Sequence, residues 1–133
     1  MATVALLSDE AAPAESLAVF EAIRTVRQTD YVNNFWRALA HDPALLRATW
    51  ERASEVMAPG ALDPLVKELV YLAVSTANGC AYCVHSHTAA ARAKGMTPEQ
   101  HGELLAVIAM ASQTNALASA LGVPVDDRFQ EGS

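Results

Sequence analysis

The residue types capable of covalent or proton-transfer chemistry gather between Glu68 and His87. After Glu68 the chain reads Asn78-Gly79-Cys80-Ala81-Tyr82-Cys83-Val84-His85-Ser86-His87. On a helix advancing about 100° per residue, Cys83 lies at about 300° and His87 at about 340° from Cys80, so the three share one narrow face. His85 falls near 140° on the same wheel and points elsewhere. Cys83 and His87 are thus an i, i+4 pair, with the imidazole one turn from the sulfur. Cysteine reacts as its thiolate, and a neighbouring base or the positive end of a helix favours that form. Cys80, in the first turn of such a helix, has the free backbone N–H groups of a helix start beside it. A thiolate of this kind attacks a peroxide oxygen and becomes a sulfenic acid. A second cysteine within reach then condenses with it to a disulfide.

Helical elements must position these groups. Asp63-Pro64 is a start signal, because aspartate caps orphan N–H groups and proline fits the first helical position. Leu65, Leu69 and Leu72, with Val66, Val70 and Ala73, make the helix that follows apolar on more than one face, as a central helix is. Glu68 interrupts that pattern, and a carboxylate buried there needs a partner. Asn78-Gly79 closes the helix, since both residues tolerate a left-handed terminus. A further helix is predicted over roughly Cys80 to Lys94, ending at Gly95. The resulting antiparallel hairpin can bring Glu68 beside His87, where it can orient the ring and relay its proton.

The same punctuation runs through the rest of the chain. The first 14 residues read as an arm. Leu17, Phe20, Ile23 and Val26 trace a stripe over about Glu15 to Arg27, and Val32, Phe35, Trp36 and Leu39 another over Tyr31 to Ala40. Asp42-Pro43 opens a helix to about Met57. Thr97-Pro98-Glu99-Gln100 is a capping box that opens a last helix to about Leu121, with a break expected near Asn115. No alternating strand pattern competes, so the fold class is all-α, in one domain over 1–133.

Composition supports this. Of 133 residues 27 are alanine, and small helix-forming side chains let helices approach closely. The apolar fraction of 52% excludes a solvated disordered chain. An excess of 15 acidic over 9 basic residues argues against a nucleic-acid binder. No basic leader precedes the apolar start, and the longest uninterrupted apolar run is short of a membrane span. The expected location is therefore the cytoplasm, where cysteines stay reduced unless they have redox or metal work.

Blander readings accompany each of these residues. The two cysteines can be small buried hydrophobes, or zinc ligands with His87 and Glu68. A structural zinc site more often takes its second ligand pair from a distant segment, and the reading adopted assigns neither metal nor cofactor. Glu68 can be a solvated neighbour of Lys67. His41, His85 and His101 read as surface histidines, and Trp36, Trp50 and the phenylalanines as core or subunit contacts.

Taken together, Glu68, Cys80-x-x-Cys83-x-x-x-His87, the following Ala-Ala-Ala-Arg-Ala-Lys-Gly95 and the proline-started helix resemble the alkylhydroperoxidase D and carboxymuconolactone decarboxylase superfamily, over Leu62 to about Leu121. The resemblance implies a helical fold assembled as a homo-oligomer, a trimer or a hexamer. It implies a peroxidase in which Cys83 forms the sulfenic acid, Cys80 resolves it and donates a proton, and Glu68 with His87 forms the proton relay. The substrate implied is a small hydroperoxide. The implied reductant is a dithiol, a lipoyl protein or a thioredoxin-like partner, with no nucleic acid or membrane involved. Tyr82 stands where that branch often carries a histidine between the cysteines, a departure that bears on the relay. Two alternatives remain: a decarboxylase or isomerase of a ring lactone using Glu68 and His87, and a disulfide switch without turnover. The decarboxylase branch typically lacks the cysteine pair.

Overall fold

A computed structural model of the chain describes residues 1–130, all-helical as the sequence predicts. The last three positions of the domain expected over 1–133 lie outside the described residues. The described chain forms two compact units, one of residues 1–58 and one from Pro59 onward.

The first unit packs α1 (Ala14–Arg27), α2 (Asn34–Leu39) and α3 (Pro43–Met57) around one core. Val19, Phe20 and Ile23 of α1 meet Trp36 of α2 and Leu46 and Trp50 of α3. The two indoles cross edge to face at 5.4 Å, a favoured aromatic geometry. Asp42 accepts from the Leu45 N–H at 3.1 Å, which is the cap that Asp42-Pro43 announces. The arm does not stand free. Its Asp9 pairs with Arg24 at 2.7 Å and Arg37 at 3.1 Å, and His41 Nε2 lies 2.7 Å from the Ala5 carbonyl.

One expectation in this unit is corrected. The helix read from Tyr31 begins only at Asn34, because Asn33 is extended. Val32 supplied the apparent periodicity, yet it is fully buried from a non-helical segment. Burial rather than helical phase explains its apolar character.

Ser16 is the polar exception in this core. It is fully buried, and its Oγ donates to the Ala40 carbonyl at 2.8 Å. Ser16→Ala removes the donor and leaves a buried acceptor unpaired, so urea unfolding is expected to show a loss of about 1–3 kcal/mol. A loss below a few tenths would mean that water replaces the bond.

The second unit consists of α4 (Pro64–Ala77), α5 (Ala81–Ala93) and α6 (Pro98–Leu121), followed by a short 3-10 turn at Asp127–Phe129. Asp63 caps α4 through the Leu65 N–H at 2.9 Å. The α4–α5 turn is as short as a helix reversal allows. Gly79 takes φ 70°, its N–H donates to the Thr76 carbonyl and the Cys80 N–H to the Ser75 carbonyl. This pair of bonds is a Schellman closure, and the left-handed residue it requires is the glycine. The same closure recurs after α5 at Gly95 and after α6 at Gly122.

Helix α6 starts at the predicted capping box, with both reciprocal bonds present. It runs unbroken through Asn115, against the expected break there. None of its residues is buried, and by length and composition alone it is apolar enough to cross a membrane, with a mean hydropathy of 1.5. Counting uninterrupted apolar runs misses this, because Ser112 to Asn115 divide the run without adding charge.

Candidate functional site

The α4–α5 hairpin carries all four residues singled out from the sequence and joins them in two pairs, Glu68 with His87 and Cys80 with Cys83. Glu68, Leu72 and Ser75 are spaced i, i+4 and i+7 on the face of α4 that turns inward, where Glu68 is only 4% exposed, and Tyr71 lies at the edge of that face, 43% exposed. Across from it, Cys80, Cys83, His87 and Ala91 follow one another down α5. Cys80 is not within the first turn but caps it: its Sγ accepts from the Cys83 N–H at 3.2 Å. The two cysteines form a disulfide, with their Cα atoms 5.3 Å apart. A cap residue and the third residue of the helix sit close enough to bond with no change in the helix. That is what the Cys-x-x-Cys spacing at a helix start provides.

His87 Nδ1 lies 2.7 Å from Glu68 Oε2, so the hairpin makes the carboxylate–imidazole pair that its geometry allows. Two further groups complete the cluster, and the sequence reading missed both. Lys94 Nζ donates to Glu68 Oε1 at 2.7 Å. Tyr71 stacks on the imidazole, with ring centroids 3.6 Å apart and planes 20° from parallel. The signal for each was present as spacing. Lys94 is seven residues beyond His87, two turns down the same face, and Tyr71 is three residues beyond Glu68.

Burial alone would raise the Glu68 carboxyl. The hydrogen bonds from His87 and Lys94, together with the positive charge of Lys94, outweigh it and hold the group below its ordinary value. The site therefore keeps an ionised carboxylate behind a histidine whose ring it fixes. With the carboxylate accepting from Nδ1–H, the free Nε2 carries a lone pair that can take a proton. His85 is exposed and Tyr82 is 43% exposed, on a different side of α5 from the cluster. Among the described residues, no group of three or more His, Cys, Asp or Glu side chains is placed to hold a metal ion. An open cleft lined by Asp9, Arg24 and Arg37 in the first unit contains none of the site residues.

The model of the carboxymuconolactone decarboxylase family matches residues 43–126, well over half of the chain. The chain belongs to that family. Within it, a crystal structure of the alkylhydroperoxidase AhpD core from Rhodospirillum rubrum superposes with a TM-score of 0.96 at 60% identity, covering 99% of each chain. An alkyl hydroperoxide reductase AhpD from Solibacter usitatus is 43% identical over 72 residues, 54% of this chain and 39% of that protein. An uncharacterised protein of the cox locus of Paracoccus denitrificans is 41% identical over 54 residues, 41% of this chain and 49% of that one. The matched stretch thus spans less than half the length of either curated relative. These likenesses place the chain on the AhpD-like side of the decarboxylase family.

Proposed function

We propose that the protein is a thiol-dependent peroxidase that reduces small organic hydroperoxides. The observation that carries this reading is the Cys80–Cys83 disulfide at the start of α5. It lies one turn from a histidine held by a buried carboxylate. The names of the AhpD relatives support the same chemistry.

In the reduced protein His87 accepts the Cys83 thiol proton at Nε2, and Glu68 stabilises the imidazolium through Nδ1. The thiolate attacks the terminal oxygen of the hydroperoxide. An S–O bond forms, the O–O bond breaks, and the alkoxide takes a proton to leave as alcohol. Cys83 is now a sulfenic acid, and the peroxide has accepted two electrons. Cys80 attacks that sulfur, the S–S bond forms, and the hydroxyl leaves as water after protonation. A dithiol then reduces the disulfide by exchange, giving overall one hydroperoxide and one dithiol to one alcohol, one water and one oxidised dithiol. We assign that dithiol to a lipoyl protein or a thioredoxin-like partner in the cytoplasm. We also propose a homo-oligomer, trimeric or hexameric, in which further copies cover the exposed apolar side chains of α6 and the stripe Val66, Val70 and Val74 of α4.

The test is continuous measurement of cumene hydroperoxide consumption with dihydrolipoamide as reductant. Multiple turnovers above the rate of the dithiol alone are expected. A protein that consumes no more than one equivalent is a disulfide switch, and one that consumes none leaves the lactone reaction as the surviving use of Glu68 and His87.

A further inference from the structure

In the chemistry proposed above, Lys94 has no task, although it holds half of the Glu68 carboxylate. Its Nζ donates to Oε1 at 2.7 Å while His87 Nδ1 lies 2.7 Å from Oε2. One buried anion therefore faces two groups that can be cationic. A carboxylate 4% exposed needs a compensating positive charge beside it. Were the imidazole to supply it, both ring nitrogens would carry protons, and Nε2 would have no lone pair to accept a third.

We propose that Lys94 is a positioning residue that supplies this charge, so that His87 stays neutral, with its proton on Nδ1 and an accepting Nε2. The consequence for turnover rests on the peroxidase reading; the charge balance itself does not.

The fold fixes Lys94 for that purpose. It is the C-cap of α5, and Gly95 follows at φ 97°. Bonds from the Gly95 N–H to Arg92 and from the Met96 N–H to Ala91 close the helix there, with Met96 buried. The closure sets the lysine two turns past His87 on the face that meets α4. Its side chain is 38% exposed, so the stem runs along the surface while the ammonium reaches in to the carboxylate. The titratable groups that contact the Glu68 carboxylate are His87 and Lys94. The ring itself meets Glu68 and Tyr71 from α4, with Cys83 one turn back on its own helix. From α6, Glu99, His101 and Glu103 make no bond to the cluster among the described residues.

The test follows the His87 ring nitrogens by ¹⁵N–¹H correlation in the reduced, full-length protein, with hydroperoxide consumption recorded against pH. In wild type and Lys94→Arg the ring is expected to be neutral at about pH 7, with one protonated nitrogen. In Lys94→Met the imidazole becomes the counter-ion. Both nitrogens then carry protons at that pH, and half-maximal consumption moves up by about one pH unit. Lys94→Gln gives the same comparison should methionine disturb folding. A folded Lys94→Met or Lys94→Gln protein whose ring stays neutral reduces Lys94 to a tether between helices and overturns the assignment. A doubly protonated ring in those variants, with no hydroperoxide consumed by any form including wild type, supports the assignment and sinks the peroxidase reading instead.

Discussion

Cys83→Ser is expected to lower dithiol-dependent hydroperoxide consumption to the rate of the dithiol alone, while reduced Cys80→Ser, with no dithiol present, still consumes one equivalent and then stops. The asymmetry follows from where each sulfur sits. Cys83 is on α5, one turn before His87, so it is the sulfur whose proton the imidazole can take. Its serine variant replaces a thiol with a hydroxyl, a far weaker acid and a poor nucleophile toward peroxide. Cys80 is the cap, and its Sγ accepts the Cys83 N–H. In its serine variant Cys83 still reacts, but the sulfenic acid has no partner within the protein and persists while the dithiol is left out. One equivalent of a sulfenic-acid reagent such as dimedone should then label the protein, detected as a single mass increment by intact mass spectrometry. Serine is a good helix cap in its own right, so α5 keeps its start and the experiment reads chemistry rather than folding. If Cys80→Ser consumes none and Cys83→Ser alone accumulates the label, the two roles are exchanged. If neither substitution affects consumption, the disulfide is incidental to it.

How much of this was legible beforehand depends on what each residue type commits to. Asp42-Pro43, Asp63-Pro64 and Thr97-Pro98 mark the starts of α3, α4 and α6, because aspartate, threonine and proline each satisfy a backbone need that only a helix N-terminus has. Glu68 declared itself by the same logic: a carboxylate in an apolar stripe either finds a partner or disrupts the helix packing. Val32 misled because an apolar residue registers burial, which extended and helical segments share. Lys94 went unread because a lysine just ahead of a terminal glycine already has a sufficient explanation in the helix dipole. Tyr71 was hidden for a similar reason, an aromatic ring on an apolar helix being ordinary core material. The cysteine pair was visible as spacing, yet spacing alone serves a disulfide, a metal or simple packing equally well. Only the turn at Gly79, which makes Cys80 a cap, puts the two sulfurs together. The exposed face of α6 could not be inferred at all from its sequence, since an apolar helix reads the same whether or not the rest of the chain covers it.

The carboxylate carries the second large effect. Glu68→Gln is expected to reduce kcat/KM for hydroperoxide by about 10²–10⁴-fold, the range associated with losing a positioned proton relay. The substituted side chain is close to the same shape, so the loss isolates charge and hydrogen-bond polarity. An amide can offer His87 either an oxygen or an NH₂ group, and in the second orientation the ring proton moves to Nε2, which can then no longer accept one. The fold feels the change less than the chemistry does. Lys94 is half-exposed and regains water, and His87 can remain neutral, so a destabilisation of about 1–3 kcal/mol at neutral pH is expected. Its pH dependence provides the internal check. The Glu68 carboxyl is held below its ordinary value of 4.5, so its contribution is complete above that value and is lost as pH falls through the lower, folded-state one. Urea midpoints of wild type and Glu68→Gln should therefore differ at about pH 7 and converge as the pH is taken below about 4. A gap that is constant across that interval would mean that the carboxylate is not held ionised by its partners. In that case neither His87 nor Lys94 acts on it as the bond lengths indicate.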